Sequence, residues 1–441
     1  MSLLIILPFL ITFVGAYFLV KLRFFFVAHP INTLRKLKEA MRVPTTKKSL
    51  TLALAGTLGV GNIVGVAYGI SVGGAGSIFW MLVSGLFASV IKYAEITLAK
   101  DMKCDGSGGM SQVLKSSFKT HGVTLSRCYA LLCLSLSLVM GAALQSQSAV
   151  YSAEATSTLS PHLVALSVTL LTALVVVGGA KKIESATAFI IPIATLLYTL
   201  ICVVVILKNR ERLPDAFGEI LRGAFDFKSI GAGVSSFLAV SALKEGFLRG
   251  LLSNEAGAGT SSMAIVRSSL APAEAGLLGI CEVFFDTVLL CTLTGLTVLV
   301  ANPSTVGRSG IDIVSGAISS VLGGGAGFLL FFLVLSFAYA TVICWYYYGR
   351  ESLSFVFGGK GGKIFTPLFV GVVFFGFLLP EALLINTTDY ILFLMSVLTL
   401  SALIKNSERI RHLSEQCGLL KLKKSDVRKR CKAERGHVGK L

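Results

Sequence analysis

The chain has 441 residues, of which 54% are hydrophobic and only 14% charged, and its formal net charge is +17. So apolar a composition excludes an ordinary soluble domain and indicates a protein that crosses a membrane several times. The positive charge does not indicate a nucleic-acid partner, because the basic residues are confined to particular loops and to the segment after Lys405, as on the cytoplasmic face of membrane proteins. Cysteine and histidine show no metal-ligand spacing.

Eleven apolar stretches are long enough to be predicted as membrane helices, so the predicted fold class is an all-α polytopic membrane protein. These stretches are 3–20, 50–71, 79–99, 128–151, 162–179, 185–207, 229–243, 276–300, 326–348, 364–380 and 390–404. They divide the chain into five predicted units. The units are an extra N-terminal helix (1–22), a basic segment (23–49), two five-helix sets (50–207 and 229–404) and a basic tail (405–441).

Loop charges predict the orientation of the helices. Segment 21–48 carries eight Lys or Arg residues against one acidic residue, which places it in the cytoplasm and the N-terminus outside. The remaining loops alternate in agreement, with a nearly neutral 208–228 outside and the C-terminal tail inside. The two five-helix sets then have opposite orientations. The tail is interpreted as a solvated cytoplasmic end, with anionic membrane lipid as an alternative partner.

The first core helix carries a run of glycines with Thr57 and Asn62 between them. The glycines are Gly56, Gly59, Gly61 and Gly65. Such a run predicts a helix that breaks within the bilayer, where the freed backbone groups must line a cavity or be buried in protein. Broken helices of this kind bind ion and substrate in transporters. The alternative interpretation is a small-residue face for close helix packing.

The counterpart of that helix in the second set is the predicted helix at 229–243. It is short, and glycines at 231 and 233 and a serine at 241 interrupt its apolar pattern. Interrupted segments at matching positions of two halves indicate a binding site, although close helix packing explains the same residues.

The sequence contains no motif that indicates nucleotide binding or catalysis. The glycine spacing at 59–65 does not match GxGxxG and lies in an apolar stretch, and the chain contains no GxxxxGK[ST] sequence. No nucleophile lies in a recognisable arrangement with a base. The chain is therefore predicted not to be an enzyme and to need no organic cofactor.

Ionisable side chains inside predicted spans are costly, which makes them candidates for function. Asp286 lies halfway along the helix at 276–300, and Glu282 lies one turn earlier on the same face. We interpret Asp286 either as a cation or proton site or as a buried structural acid. Lys92 and Glu95 are neighbours at i, i+3 and are interpreted as an ion pair or gate contact.

Polar side chains on two other helices suit a zwitterion and a cation. The amides of Gln145 and Gln147 must face other helices, to bind either a substrate or a neighbouring helix. Thr341 offers a hydroxyl of the kind that hard cations prefer, and Trp345 one turn on is predicted to wall a small pocket.

Several of these blocks resemble the alanine/glycine:cation symporter family. The first-helix signature is at 56–66, and further similar blocks follow in the family's order at 92–95, 249–257, 285–292 and 337–341. The similarity runs from the first core helix to about residue 404. It implies a five-plus-five inverted-repeat, LeuT-like fold of the amino acid–polyamine–organocation superfamily with one extra N-terminal helix. It also implies sodium- or proton-coupled uptake of alanine, glycine or a similarly small amino acid.

The resemblance implies two sets of ligands. The sodium ligands are the carbonyls of Ala55, Leu58 and Ala338 and the hydroxyl of Thr341. The substrate-binding residues are Thr57, Gly59, Gly61, Asn62, Gln145 and Ser241, with Trp345 as the predicted wall.

The expected function is therefore symport by alternating access, in the cell membrane and by a monomer. Two alternatives stay open. One is a proton-coupled transporter or exchanger of another small solute that uses Asp286, and the other is a channel or sensor on the same scaffold.

Overall fold

The computed structural model describes residues 2–103, 109–156, 159–225, 234–303, 305 and 308–420. The regular structure of these residues is helical throughout. The helices of the first half are α1 (Ser2–Lys21), α2 (Phe25–Ala28), α3 (Pro30–Ala40), α4 (Pro44–Thr57), α5 (Val64–Gly73), α6 (Gly76–Asp101), α7 (Met110–Ser117), α8 (Gly122–Leu136), α9 (Gln145–Thr156), α10 (Pro161–Val176) and α11 (Gly179–Lys208). Those of the second half are α12 (Leu213–Phe225), α13 (Val234–Asn254), α14 (Ser261–Ile265), α15 (Pro272–Val283), α16 (Thr292–Ala301), α17 (Gly310–Leu322), α18 (Gly325–Phe357), α19 (Gly362–Phe375), α20 (Glu381–Lys405) and α21 (Ser407–Gln416).

Six helical stretches in the described part of the chain are long and apolar enough to cross a membrane. They are Gly76–Asp101, Gly122–Ala155, Gly179–Lys208, Pro272–Ala301, Gly325–Phe357 and Glu381–Lys405. A seventh passes the same test as a bent pair, Pro44–Thr57 with Val60–Gly73, whose halves meet at 64°. The chain is thus a multi-pass helical membrane protein. The predicted break in the first core helix is confirmed.

Two of the long stretches contain a π-helical segment between their α-helical parts. Ser137–Leu144 joins α8 to α9, and Phe284–Cys291 joins α15 to α16. Each π segment adds a residue to the turn and so rotates the side chains that follow relative to those that precede it. Gln145 is the first residue after the first π segment, and Asp286 lies inside the second.

The second interrupted helix differs from the prediction. α13 is helical without interruption from Val234 to Asn254, whereas an interruption was predicted at 231–241; residues 231–233 lie outside the described residues. The break falls at 255–260, where Glu255, Gly257 and Gly259 have φ of 53°, 91° and 77°. Two of these positions are glycine, which adopts such angles without a steric penalty, whereas Ser, Ala and Val at 234–242 continue a helix readily.

Packing places α13 beside the second half of the first broken helix. α13 and α15 both lie along α6, and α13 also contacts α5. α18 packs against the first half of the broken helix, α4, and against α8 and α9. Part of the predicted basic tail belongs to this body. The Ser414 hydroxyl on α21 lies 2.6 Å from the Tyr93 hydroxyl on α6, and Lys21 on α1 lies 2.5 Å from Glu408.

Candidate functional site

The first broken helix exposes backbone groups at its centre. The Leu58 amide still bonds to the Leu54 carbonyl at 2.6 Å, but the Gly59 amide turns to the Thr57 carbonyl at 2.8 Å. The carbonyl of Ala55 therefore does not receive the amide four residues ahead, as it does in a continuous helix. Ala55 and Leu58 are both fully buried. The break therefore interrupts the regular helical hydrogen bonding inside the protein, at the position that the glycine run predicted.

Gly59 lies against side chains from two other helices. If Gly59 carried a methyl group on its Cα, that group would lie 3.1 Å from the Thr341 hydroxyl on α18 and 3.3 Å from Gln145 Oε1 on α9. The Thr341 hydroxyl donates to the Phe337 carbonyl at 3.0 Å, which leaves the oxygen's lone pairs as acceptors. Gln145 Oε1 is buried and has no hydrogen-bond partner among the described residues. Three predicted site residues thus meet at the break.

Trp345 closes the same region from α18. Its indole Nε1 donates to the Gly56 carbonyl at 3.3 Å, and its side chain is fully buried. A methyl group at Gly141 falls only 2.2 Å from Trp345 Cβ, so only glycine lets the indole lie this close to the π segment. Tyr348, one turn further along α18, also packs on Gly56: its ring lies 3.0 Å from the position that a methyl group would take there, and its centroid is 5.4 Å from that of Trp345. The two rings form a rigid apolar wall beside the break.

Asn62 is held by a buried carboxyl group. Its Nδ2 donates to Asp286 Oδ1 at 2.6 Å, and Asp286 also accepts from the hydroxyls of Ser253, at 3.0 Å, and Thr287, at 2.8 Å. Asp286 is fully buried. Because Nδ2 is engaged, Asn62 Oδ1 is turned away, and it is buried with no partner in the described part of the chain. Sequence reasoning missed Ser253 and Thr287, since serine and threonine are common in membrane helices and carry no motif.

The predicted ion pair between Lys92 and Glu95 is wrong, because each side chain has a different partner. Lys92 lies 3.1 Å from Glu282 Oε1 and bonds to the Ser261 hydroxyl at 2.5 Å, while Glu95 accepts instead from the Gly257 amide at 2.7 Å. Glu282 therefore faces Lys92 and Asp286 faces Asn62, although both were predicted on one face. The π segment that begins at Phe284 separates them, because it interrupts the 3.6-residue repeat.

The remaining predicted residues are placed as follows. Gln147 Nε2 donates to the Leu379 carbonyl at 2.6 Å, which is the interhelical alternative. Thr57 is buried, and Gly61 is exposed with nothing within 4 Å of a methyl group there. Ala338 is fully buried on α18, less than one turn before Thr341. The Ser241 carbonyl packs at 3.0 Å from a methyl group at Gly73, at the far end of α5, so the structure does not bring Ser241 to the break.

A multi-pass helical bundle whose broken helix meets buried amide oxygens and a hydroxyl has the architecture of a secondary transporter. The fold is similar to a solved structure of a mutant manganese transporter of Eremococcus coleocola, with a TM-score of 0.51 and 12% identity, over 82% of this chain and 76% of that one.

Sequence comparison identifies the family. The model of the sodium:alanine symporter family matches residues 1–417. The sodium/alanine symporter AgcS of Methanococcus maripaludis is 31% identical over 78% of this chain and 77% of its own length. An uncharacterized transporter of Haemophilus influenzae is 31% identical over 81% of this chain and 80% of its own. The chain belongs to the sodium:alanine symporter family, which confirms the resemblance found in the motifs.

Proposed function

We propose that this chain is a sodium-coupled symporter of small neutral amino acids such as alanine or glycine. The observation that carries the proposal is the meeting of Gly59, Gln145 and Thr341 at the break between α4 and α5. The break supplies backbone groups for a carboxylate and a cation, and the amide oxygens of Gln145 and Asn62 are free acceptors for an ammonium group. A small zwitterion needs these groups together.

The sodium ion would be held by oxygen atoms only. Its proposed ligands are the carbonyls of Ala55, Leu58 and Ala338 and the hydroxyl of Thr341. The substrate carboxylate would bind Thr57 and the backbone amides of Gly61 and Gly59, the latter in exchange for its bond to the Thr57 carbonyl. The ammonium group would bind Asn62 and Gln145. Ser241 is kept as a substrate contact only for an arrangement in which α13 moves toward the break. Trp345 would limit the size of the side chain.

Coupling follows from charge. A cation beside the site lowers the cost of burying the substrate carboxylate, so each ligand raises the affinity for the other by the same factor. Inward movement of one net positive charge contributes about 2.3 kcal/mol per 100 mV of membrane potential. That energy is sufficient for accumulation of the amino acid by roughly fifty-fold.

The finer architecture is part of the same proposal. We assign eleven spans: α1, α4–α5, α6, α8–α9, α10, α11, α13, α15–α16, α18, α19 and α20. The extra helix is 1–22, the basic cytoplasmic segment 23–49, and the inverted five-helix repeats 50–207 and 229–404, followed by the tail 405–441. The N-terminus lies outside and the tail in the cytoplasm. The protein acts as a monomer in the cell membrane, and the tail is a solvated cytoplasmic end, with anionic membrane lipid as the alternative partner.

The test of the function is uptake of labelled amino acids by the purified protein in proteoliposomes. Alanine and glycine are expected to enter faster with an inward sodium gradient, and unlabelled alanine is expected to compete with both. Saturable counterflow excludes a channel or a sensor. Uptake that responds to neither sodium nor pH contradicts the proposal.

A proton-coupled transporter that uses Asp286 is the second candidate, because Asp286 is a fully buried acid beside the break. In the sodium-coupled account Asp286 orients Asn62 instead. Asp286→Asn should then weaken alanine uptake by roughly 10- to 150-fold, since a hydrogen bond to a charged group contributes about 1.5–3 kcal/mol. The measurement is the apparent affinity for alanine at several pH values.

The pH dependence separates the two candidates. A positioning role leaves the shape of the pH profile unchanged in Asp286→Asn, whereas a coupling role removes the profile. Asp215→Asn, an exposed acid on α12, is the matched control and should behave as wild type.

A further inference from the structure

The link between α13 and α14, residues 255–260, lies in a cluster of buried ionisable side chains. Glu95 on α6 and Glu282 on α15 are fully buried, Glu255 in the link is 2% exposed, and Lys92 on α6 is fully buried. We call these four residues the link cluster. It contains three carboxyl groups and one ammonium group, and it is separate from the carboxyl of Asp286 that holds Asn62.

The ammonium group neutralises only one of the three carboxyls. Lys92 Nζ lies 3.1 Å from Glu282 Oε1, and the Ser261 hydroxyl donates to the same oxygen at 2.6 Å. Glu95 accepts instead from the Gly257 amide, and Glu255 accepts from the Thr260 hydroxyl, each at 2.7 Å. These last two donors are uncharged. Within the described residues, neither Glu95 nor Glu255 forms an ion pair.

All three carboxyls have an oxygen without a partner in the described part of the chain, but only Glu282 has an ammonium group beside it. Glu95 Oε2 and Glu255 Oε1 are buried and receive no hydrogen bond in the described part of the chain. Two unpaired negative charges in one water-excluded region repel each other and lose the solvation that they have in water. Such groups become neutral by taking up protons. The free oxygens mark where those protons would be carried.

Among the residues that the structure describes, no other positive charge near the cluster supplies the balance. The other titratable side chains that interact with it are Tyr129 and Cys133 on α8, Cys344 and Tyr348 on α18, Cys281 on α15, and Asp286. Tyrosine and cysteine are uncharged at neutral pH in their ordinary state, and Asp286 adds negative charge. Nor do the described residues hold a group of three or more acidic, histidine or cysteine side chains arranged for a metal ion.

We propose that Glu95 and Glu255 form a proton-binding site, which holds at least one proton in this arrangement of the link. The proton comes from water and is carried on a carboxyl oxygen that now lacks a partner. The link is tied to this site through the Gly257 amide and the Thr260 hydroxyl, so movement of the link admits water and allows the carboxyls to ionise. Protonation then favours the closed link, and acidification is expected to bias the transporter toward this conformation. This effect on transport rests on the proposed symport function, but proton binding itself does not.

Infrared spectroscopy of the purified protein in lipid nanodiscs, without substrate, tests the site. The carbonyl stretch of a protonated carboxyl group is distinct from that of a carboxylate. Wild type is expected to show the protonated band at neutral pH, with a smaller band in Glu95→Gln and in Glu255→Gln. Glutamine has the shape of the neutral acid, so both variants should also keep the wild-type unfolding temperature. Glu381→Gln, at an exposed acid on α20, is the control and should leave the band unchanged.

Each alternative outcome contradicts the proposal. An unchanged band in both variants means that neither carboxyl carries the proton. A band that sodium abolishes at constant pH identifies a cation site instead. A large fall in unfolding temperature in both variants means that the carboxyls are ionised in the folded state. Because the spectra need no transport, a protein that fails to carry alanine but keeps the band refutes the symport function and not the proton site.

Discussion

Gly59→Ala is expected to abolish most alanine uptake while leaving the protein folded. The backbone of Gly59, with φ of −107° and ψ of −161°, is open to any residue, so the change adds no strain there. The new methyl group would lie 3.1 Å from the Thr341 hydroxyl and 3.3 Å from Gln145 Oε1, inside the space proposed for sodium and substrate. Overpacking typically costs about 1–3 kcal/mol, which corresponds to a roughly 5- to 150-fold loss of affinity.

The matched control is Gly65→Ala, in the same broken helix. A methyl group at Gly65 has nothing within 4 Å, so uptake should remain close to wild type. The measurement is the apparent affinity for alanine and for sodium in proteoliposomes, with the unfolding temperature recorded for each variant. Equal losses in the two variants would show that the helix tolerates no methyl group anywhere, and would remove the evidence for a site at Gly59.

Lys92→Met is expected to have the largest effect on stability. It leaves the buried Glu282 carboxylate without its ammonium partner, and removing one member of a buried ion pair typically costs about 3–5 kcal/mol. Loss of side-chain volume should contribute little to this destabilisation, because methionine fills a space similar to that of lysine. The measurement is the free energy of unfolding, or the unfolding temperature where unfolding is irreversible.

A double variant isolates the charge. Adding Glu282→Gln to Lys92→Met removes the unpaired carboxylate and should recover a large part of the lost stability. Lys36→Met is the control, since Lys36 pairs with Glu39 at 3.6 Å on the surface and such pairs contribute about 0–1 kcal/mol. A double variant that is as unstable as Lys92→Met alone would show that the pair with Glu282 is not the reason for burying Lys92.

The sequence predicted the break in the first core helix because its signals are local. Glycine density at 56–65 shows the break directly, since backbone freedom is a property of single residues. Buried amides and acids are also visible one at a time, because lipid cannot satisfy them. The convergence of Gly59, Gln145 and Thr341 was expected from the family resemblance, and the structure places these three side by side.

The second broken helix was harder to predict because two signals overlap there. Residues 231–241 contain small residues that indicate either a break or close packing, whereas the true break carries a glutamate at positive φ. Composition does not reveal that Glu255 adopts φ of 53°, a conformation in which its carboxyl accepts from the Thr260 hydroxyl. The predicted helix at 229–243 also ended too early, because Lys244, Glu245 and Arg249 interrupt the apolar pattern of a helix that runs to Asn254.

The partners of the ionisable residues depend on rotation around long helices. A regular 3.6-residue repeat places Glu282 and Asp286 together, but the π segment at Phe284–Cys291 turns Asp286 toward Asn62. No hydropathy pattern marks a π segment, because its composition is that of any membrane helix. For the same reason Lys92 was paired with its neighbour Glu95, while the true partner lies 190 residues away on α15.

The central claim is that a sodium gradient drives the uptake of a small amino acid that binds at the break between α4 and α5. The most direct measurement is accumulation of labelled alanine by proteoliposomes under an inward sodium gradient, with wild type and Thr341→Val compared at equal protein content. The account predicts accumulation above the external concentration, its collapse when a sodium ionophore is added, and a much weaker sodium response in Thr341→Val. Wild-type uptake that never exceeds equilibration, or that is the same without sodium, would contradict it.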